Sequence, residues 1–209
     1  MTQDSGQSMY LYGASGHAKV IIDVLQSAGI RVSGIFDDNP ALETLNGIKV
    51  LGKFSGQELD APLLVSIGNN RVRARIAGKL QFSFGSAVHT SALISPSARI
   101  GEGTVVMQGA IIQAAAHIGS HVIINTGASV DHDCFIDNFV HISPGAVLSG
   151  NVQVGEGAYV GAGALVIPGV KIGRWCTIGA GAVVIRDIPD RVTAVGNPAR
   201  IIKQPTNEP

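Results

Sequence analysis

The sequence predicts a mixed fold: a small Rossmann-like α/β domain over 1–88, then a parallel β-helix with a C-terminal tail over 89–209. Three observations carry this. Aliphatic residues recur every six positions from Ile94 to Val184 without interruption. Before Ile94 that register gives way to strands alternating with helices. The chain is 45% hydrophobic but only 5% aromatic and holds 27 glycines, which suits a regular stack of small and aliphatic side chains rather than an aromatic-anchored core.

Stepping by six from 94 to 184 gives sixteen positions (Ile94, Ile100, Val106, Ile112 and onward), and all sixteen are aliphatic. A period of six fits neither a helix nor an alternating strand. It fits a solenoid with three short faces per coil, hence about 18 residues per coil and about five coils. Four residues after each aliphatic comes a small or β-branched residue, among them Ala98, Thr104, Ala110 and Cys134. Both columns point inward, so Cys134 and Cys176 read as core packing rather than nucleophiles. Glycine is frequent directly after the aliphatic, as at Gly101, Gly119, Gly155 and Gly161, and corners are where a positive φ is cheap for glycine.

The first part reads as follows. Met9 to Tyr12 is a buried strand, Gly13 to His17 a loop, and Ala18 to Ala28 an amphipathic helix. Val32 to Phe36 is a second strand ending in Asp37-Asp38. A third, Pro62 to Ile67, ends in Gly68-Asn69-Asn70, and a helix runs on to about Leu80. Such alternation implies a small parallel sheet, whose ligand sits where the loops at the strand carboxyl ends converge. Gly13 and Gly16 allow close backbone approach, and the helix N-terminus offers free N–H groups to a phosphate. Asp37 is placed to bind ribose or base. The loop lacks the full dinucleotide fingerprint, and one short half-domain argues against NAD.

Composition removes other classes. Lys plus Arg equals Asp plus Glu, at 15 each, so the basic footprint of a nucleic-acid binder is missing. No apolar run reaches the ~20 residues that span a bilayer, so no membrane partner is expected. The polar start MTQDSGQS is unlike a secretory leader, and two cysteines make no disulfide framework. A cytoplasmic location follows as the expectation.

Of six histidines, His117, His121, His132 and His141 fall on the repeat, none in an inward column, so none is expected in the core. Residues 18 apart stack about 4.8 Å away on the next coil. His132 therefore lies between Ala114 and Gly150, both tiny, which leaves a recess around its imidazole. Histidine's ordinary pKa near 6.5 suits a general base at neutral pH, and the neighbouring Asp133 would orient the ring and favour the imidazolium. Adjacent strand residues point to opposite sides, so this pairing demands a corner.

The fusion of the two parts, with GASGH (13–17), FDD (36–38), SIGNN (66–70), HTSALISPSARIG (89–101), DHDC (131–134), SGNVQVG (149–155) and VGNPAR (195–200), resembles the bacterial nucleotide-sugar N-acetyltransferases. These act on UDP-linked 4-amino sugars or GDP-perosamine and are related to sialic acid O-acetyltransferases. The resemblance implies a left-handed coil and a homotrimer with active sites between subunits. It implies direct transfer from acetyl-CoA to a nucleotide-linked amine, without a metal, with His132 and Asp133 as the catalytic pair. It further implies that His141, Gly150, Ala162 and Ala180 line the acetyl-CoA site. The sugar nucleotide would fall to Gly13, Ser15, Gly16, His17, Asp37, Asp38, Gly68, Asn69 and Asn70. The oxyanion would be met by a backbone N–H or by His141.

Three alternatives differ in class. O-acetylation of sialic acid or another hydroxyl uses the same kind of base. A zinc hydratase on this coil would need three histidines from two subunits; His117 and His121 change column between them, and the first domain would be idle. A non-catalytic scaffold leaves the recess at His132 and the GASGH loop unexplained.

Overall fold

The computed structural model describes residues 7–80 and 82–203; the tail after Lys203, expected to be disordered, lies outside the described residues. In the first part β1 (Ser8–Tyr12) is followed by α1 (Gly16–Ser27) and β2 (Arg31–Phe36). A short hairpin, β3 (Thr44–Leu45) and β4 (Ile48–Lys49), comes before β5 (Leu63–Val65) and α2 (Asn70–Ala77). The three main strands form a parallel sheet in the order β2-β1-β5, as the alternation requires. Helix α1 buries Ala18, Ile21, Ile22, Val24 and Leu25, the helical spacing of one apolar face. It stops at Gly29, whose φ of 71° lets its N–H turn back to the Gln26 carbonyl. The hairpin turns on the Asn46-Gly47 dipeptide, whose positive φ values suit a tight primed turn, and it interrupts the strand–helix alternation.

The coil begins one step earlier than Ile94. Ala87–Val88 hydrogen-bonds in parallel with Val105–Val106, so Val88 continues the six-residue aliphatic series backwards. Every rung from Ala87–Val88 to Val183–Val184 is two residues long. The rungs stack into three parallel sheets. We call the sheet that starts at Ala87–Val88 the first face, that at Leu93–Ile94 the second, and that at Arg99–Ile100 the third. The first and second faces each stack six two-residue rungs, one more than the five coils expected, and the six of the second face already fall within Ile94 to Val184. The inward columns form one continuous core that includes Cys134 and Cys176, both buried and free.

Two columns of special residues explain how the chain turns. Every sixth residue from Gly103 to Gly181 is left-handed, with φ between 55° and 75°. Glycine fills eight of these corners, but Ala115, His121, Asp133, Phe139, Asn151 and Trp175 fill the other six. The glycines directly after the inward aliphatic serve another purpose: they are not left-handed, and a Cβ on Gly161 would stand 2.6 Å from the Ala180 nitrogen of the next coil. That column is small because backbone passes close over it.

The first domain sits on the first face and on the vertex between the third and first faces. Its core, with Met9, Leu11, Ile22 and Leu25, continues into Val105, Met107 and Ile123 of the coil. Polar ties join it at the vertex: Ser86 Oγ donates to the Gly101 carbonyl at 3.1 Å, and Asn70 Nδ2 to the carbonyls of Gly157 and Ala158.

Gly161→Ala is expected to destabilise the protein by about 1–3 kcal/mol in chemical denaturation, because its methyl meets fixed backbone. Gly109→Asn, at a left-handed corner with open space around it, is expected to change stability by less than about 1 kcal/mol, since asparagine tolerates that conformation.

Candidate active site

His132 and Asp133 occupy the vertex between the second and third faces. Asp133 is one of the left-handed corner residues, with φ 59°. That turn brings the neighbouring side chains to the same side, and His132 Nδ1 lies 2.8 Å from Asp133 Oδ2. The His132 backbone N–H donates to Asp131 Oδ1 at 2.7 Å, so two carboxylates flank the ring. Its pKa is raised, first by the hydrogen bond to Asp133 and then by the charge of Asp131. The ring lies over Gly150, where a Cβ would stand 2.6 Å from both Cε1 and Nε2. With Nδ1 engaged by the carboxylate, Nε2 is the nitrogen left to exchange a proton with a reactant.

His141 is on the first face, between Ile123 and Tyr159. None of the four repeat histidines enters the core of the coil, as their columns require, yet His141 is only 8% exposed and His121 5%. Both point out of the prism, but the first domain covers that face, which the six-residue register could not reveal. His141 Nε2 lies 3.0 Å from Asn125 Nδ2. Its pKa is pushed down to about 3, chiefly by burial and then by the charge of Arg73. His17, in the first turn of α1, packs 6.3 Å from the His141 ring and is lowered to about 4 by burial and Arg73. Two neutral imidazoles thus face each other across the junction of the two parts. The unpartnered buried atoms include His17 Nε2 and His141 Nδ1. His121 stacks on Phe139 with its edge to Phe84, while His117 is exposed on the third face.

The loops at the strand ends converge as expected. Asp37 Oδ2 accepts the Ala14 N–H at 2.7 Å and Oδ1 that of Asn39, which fixes the GASGH loop. Asp38 accepts from the Tyr12 hydroxyl at a long 3.4 Å and keeps its second oxygen free. Gly13 has φ 110°, and a Cβ there would meet Ile67 at 2.7 Å. Its carbonyl accepts from Ser66 Oγ. Ser15 precedes α1 without using its hydroxyl as a cap, Gly16 opens the helix with open space around it, and no acidic residue enters the first turn. This leaves a free helix N-terminus of the kind that receives phosphate. Gly68 packs against His17, with its Cβ position 3.7 Å from the ring. Asn69 and Asn70 are spent on structure: Asn69 Oδ1 caps α2 through the Val72 N–H, and the Asn70 amide ties α2 to the coil.

A cavity of about 290 Å³ runs from Gly68 and Asn69 along Tyr159 and Thr177 to Arg71 and Trp175. Tyr159 and Thr177 stand in register above His141 on the first face, and the Arg71 guanidinium lies 4.9 Å over the Trp175 ring. Ala162 and Ala180 are exposed at the vertex between the first and second faces, one coil apart.

In one chain the expected residues thus form two groups. His17, His141, the strand-end loops, Ala162 and Ala180 lie on the first face and its edges. His132, Asp133 and Gly150 lie at the opposite edge of the second face. Sequence reasoning missed Arg73, the buried residue that ties the first group together. It sits in a polar helix, and only its partners mark it.

Residues 8–80 match the PglD N-terminal domain family, and 151–186 match the bacterial transferase hexapeptide repeat. Over 98% of this chain and 100% of the other, the fold is similar to a histidine mutant of perosamine N-acetyltransferase from Caulobacter crescentus in complex with CoA and GDP-perosamine, with TM-score 0.91 and 42% identity. The chain belongs to this acetyltransferase family. Its architecture also matches the acetyltransferase domain of PglB from Neisseria gonorrhoeae, at TM-score 0.86 and 40% identity over 94% of this chain and 100% of that one. A curated family relative, UDP-N-acetylbacillosamine N-acetyltransferase of Bacillus subtilis, is 46% identical over 108 residues, 46% of this chain and 49% of that protein. The matched stretch spans half or less of the length of the curated relatives. Family membership joins the expected α/β domain and β-helix in one fold. Among the described residues no helix is long and apolar enough to cross a membrane.

Asp133→Asn is expected to lower the His132 pKa, read by NMR titration of the ring, because the hydrogen bond that raises it is weakened. His17, His121 and His141 are buried neutral, with folded pKa values of about 4, 4 and 3, below the ordinary ~6.5 of the unfolded chain. Each takes up a proton on unfolding. Their contribution is therefore full above about pH 6.5 and is lost as pH falls toward the folded values, so Tm is expected to drop across that window.

Proposed function

We propose that the protein moves the acetyl group of acetyl-CoA onto the amino group of a nucleotide-linked amino sugar, with His132 as general base. The observation that carries this is the imidazole–carboxylate pair at an open vertex, 2.8 Å between His132 Nδ1 and Asp133, over a glycine that leaves Nε2 approachable. The sugar amine attacks the thioester carbonyl carbon, and His132 Nε2 takes the proton the nitrogen sheds. Asp133 and Asp131 favour the imidazolium so formed. As the C–S bond breaks, the departing thiolate accepts that proton, and the products are an amide and free CoA. A thioester is already activated, so no acyl-enzyme is required. The relatives support the reading, since one structure holds CoA together with GDP-perosamine in a histidine mutant. The strand-end loops, with Asp38 and the free α1 N-terminus, suit the nucleoside diphosphate, and the groove at Tyr159 and Thr177 suits the CoA arm.

A homotrimer completes this site. The outward column of the second face is apolar apart from Ser129: Leu93, Ile111, Val147, Leu165 and Val183. Leu93 is 66% exposed in the single chain, and a contiguous apolar strip of this kind belongs at an interface. Three prisms that turn this face to a common axis bring the His132 vertex of one copy against the Ala162 vertex and first face of the next. The reacting groups then meet between subunits. The co-substrates are those of the cytoplasm, where we place the enzyme.

The test is thiol release from acetyl-CoA with UDP- and GDP-linked amino sugars and with free sialic acid. Turnover with a nucleotide-linked amine is expected, with His132→Ala slower by about 10²–10⁴-fold. Turnover with sialic acid alone would move the activity to O-acetylation, and full activity of His132→Ala would remove the assigned base.

A further inference from the structure

Arg73 is 1% exposed, and its partners among the described residues are carbonyl and amide oxygens rather than a carboxylate. Burying a guanidinium is costly unless its N–H groups are paired, and here all three nitrogens donate. Nε reaches the His121 carbonyl at 2.8 Å. Nη1 reaches the carbonyls of Ile67 and Gly68 at 3.0 and 3.1 Å. Nη2 reaches Asn70 Oδ1 and the Phe139 carbonyl, both at 2.9 Å. His121 and Phe139 are left-handed corners on consecutive coils, one above the other. Gly68 packs against His17, and Phe139 is two residues before His141. One planar group therefore holds both walls that carry the two facing imidazoles.

We propose that Arg73 is a positioning residue for acetyl transfer: by pinning the 67–68 loop and the 121 and 139 corners to one guanidinium, it sets the placement of His17 against His141. This rests on the reading of the His141 face as part of the active site. Arginine's rigid fork can bridge loop and coil at once; lysine supplies the charge from a single atom and cannot span both. The same charge, after burial itself, opposes protonation of both rings. The groups facing His141 are Arg73, His17, Asn125 and Tyr159, and those facing His17 are Arg73 and His141.

The experiment compares wild type with Arg73→Lys, Arg73→Met and Asn70→Ala, with Tm and circular dichroism reporting the fold. Arg73→Lys is expected to fold and to lose about tenfold or more in kcat, with a raised KM for the sugar nucleotide, since small misplacements of reacting groups are costly. Histidine titrations by NMR, read without substrate, are expected to stay low for His17 and His141 in Arg73→Lys and to rise in Arg73→Met. Should Arg73→Met fail to fold, the lysine variant and Asn70→Ala, which removes one of the guanidinium's acceptors, carry the comparison. Folded variants with wild-type kcat, KM and histidine titrations would overturn the proposal. An inactive wild type would sink the proposed activity instead, and the titrations would still decide whether Arg73 governs the two rings.

Discussion

Two-residue rungs can stack at hydrogen-bonding distance only if the chain turns sharply after each one, and from Gly103 to Gly181 every such turn takes one residue into the left-handed region. That region costs a non-glycine residue roughly 1–2 kcal/mol, so the coil concentrates glycine there and admits other residues at a few corners. Those exceptions cluster where the structure is used. Asp133 turns its carboxylate back onto His132. His121 and Phe139 offer their carbonyls to Arg73. Trp175 lies beneath Arg71 at the end of the groove. The geometry of the site is therefore a consequence of how the coil closes.

The opposite treatment of two sets of imidazoles follows from the same scaffold. His132 is exposed beside two carboxylates, which raises its pKa and makes it a better proton acceptor. His17 of the first domain and His141 beneath it are held neutral by burial and then by the guanidinium of Arg73. A neutral ring can accept or donate a hydrogen bond without becoming a second cation, whereas His132 is set up to hold a proton.

Much of this was legible in the residues. The aliphatic series placed the rungs, the stacking interval placed Gly150 over His132, and the strand-end loops fell where their glycines and aspartates indicated. What escaped depends on contacts between distant segments. His121 and His141 read as surface positions because their columns face outward, yet His17 of α1 lies against His141, and Phe84 and Arg73 lie against His121. Arg73 reads as an ordinary helix-surface arginine, since nothing in RVRAR separates it from Arg71 or Arg75. Asn70 reads as a ligand contact, and nothing in SIGNN shows that its amide also ties α2 to the Gly157 and Ala158 carbonyls. The first rung at Ala87–Val88 was hidden by the change of domain.

The central claim is that the active site is shared, with His132 from one copy meeting His17 and His141 of another. Two variants expected to be impaired, His132→Ala and His17→Ala, mixed and reassembled from denaturant, test it most directly. The account predicts activity well above either parent, because mixed assemblies contain vertices at which both contributors are wild type. Mixed trimers, verified by mass, that show no more activity than the parents would contradict it.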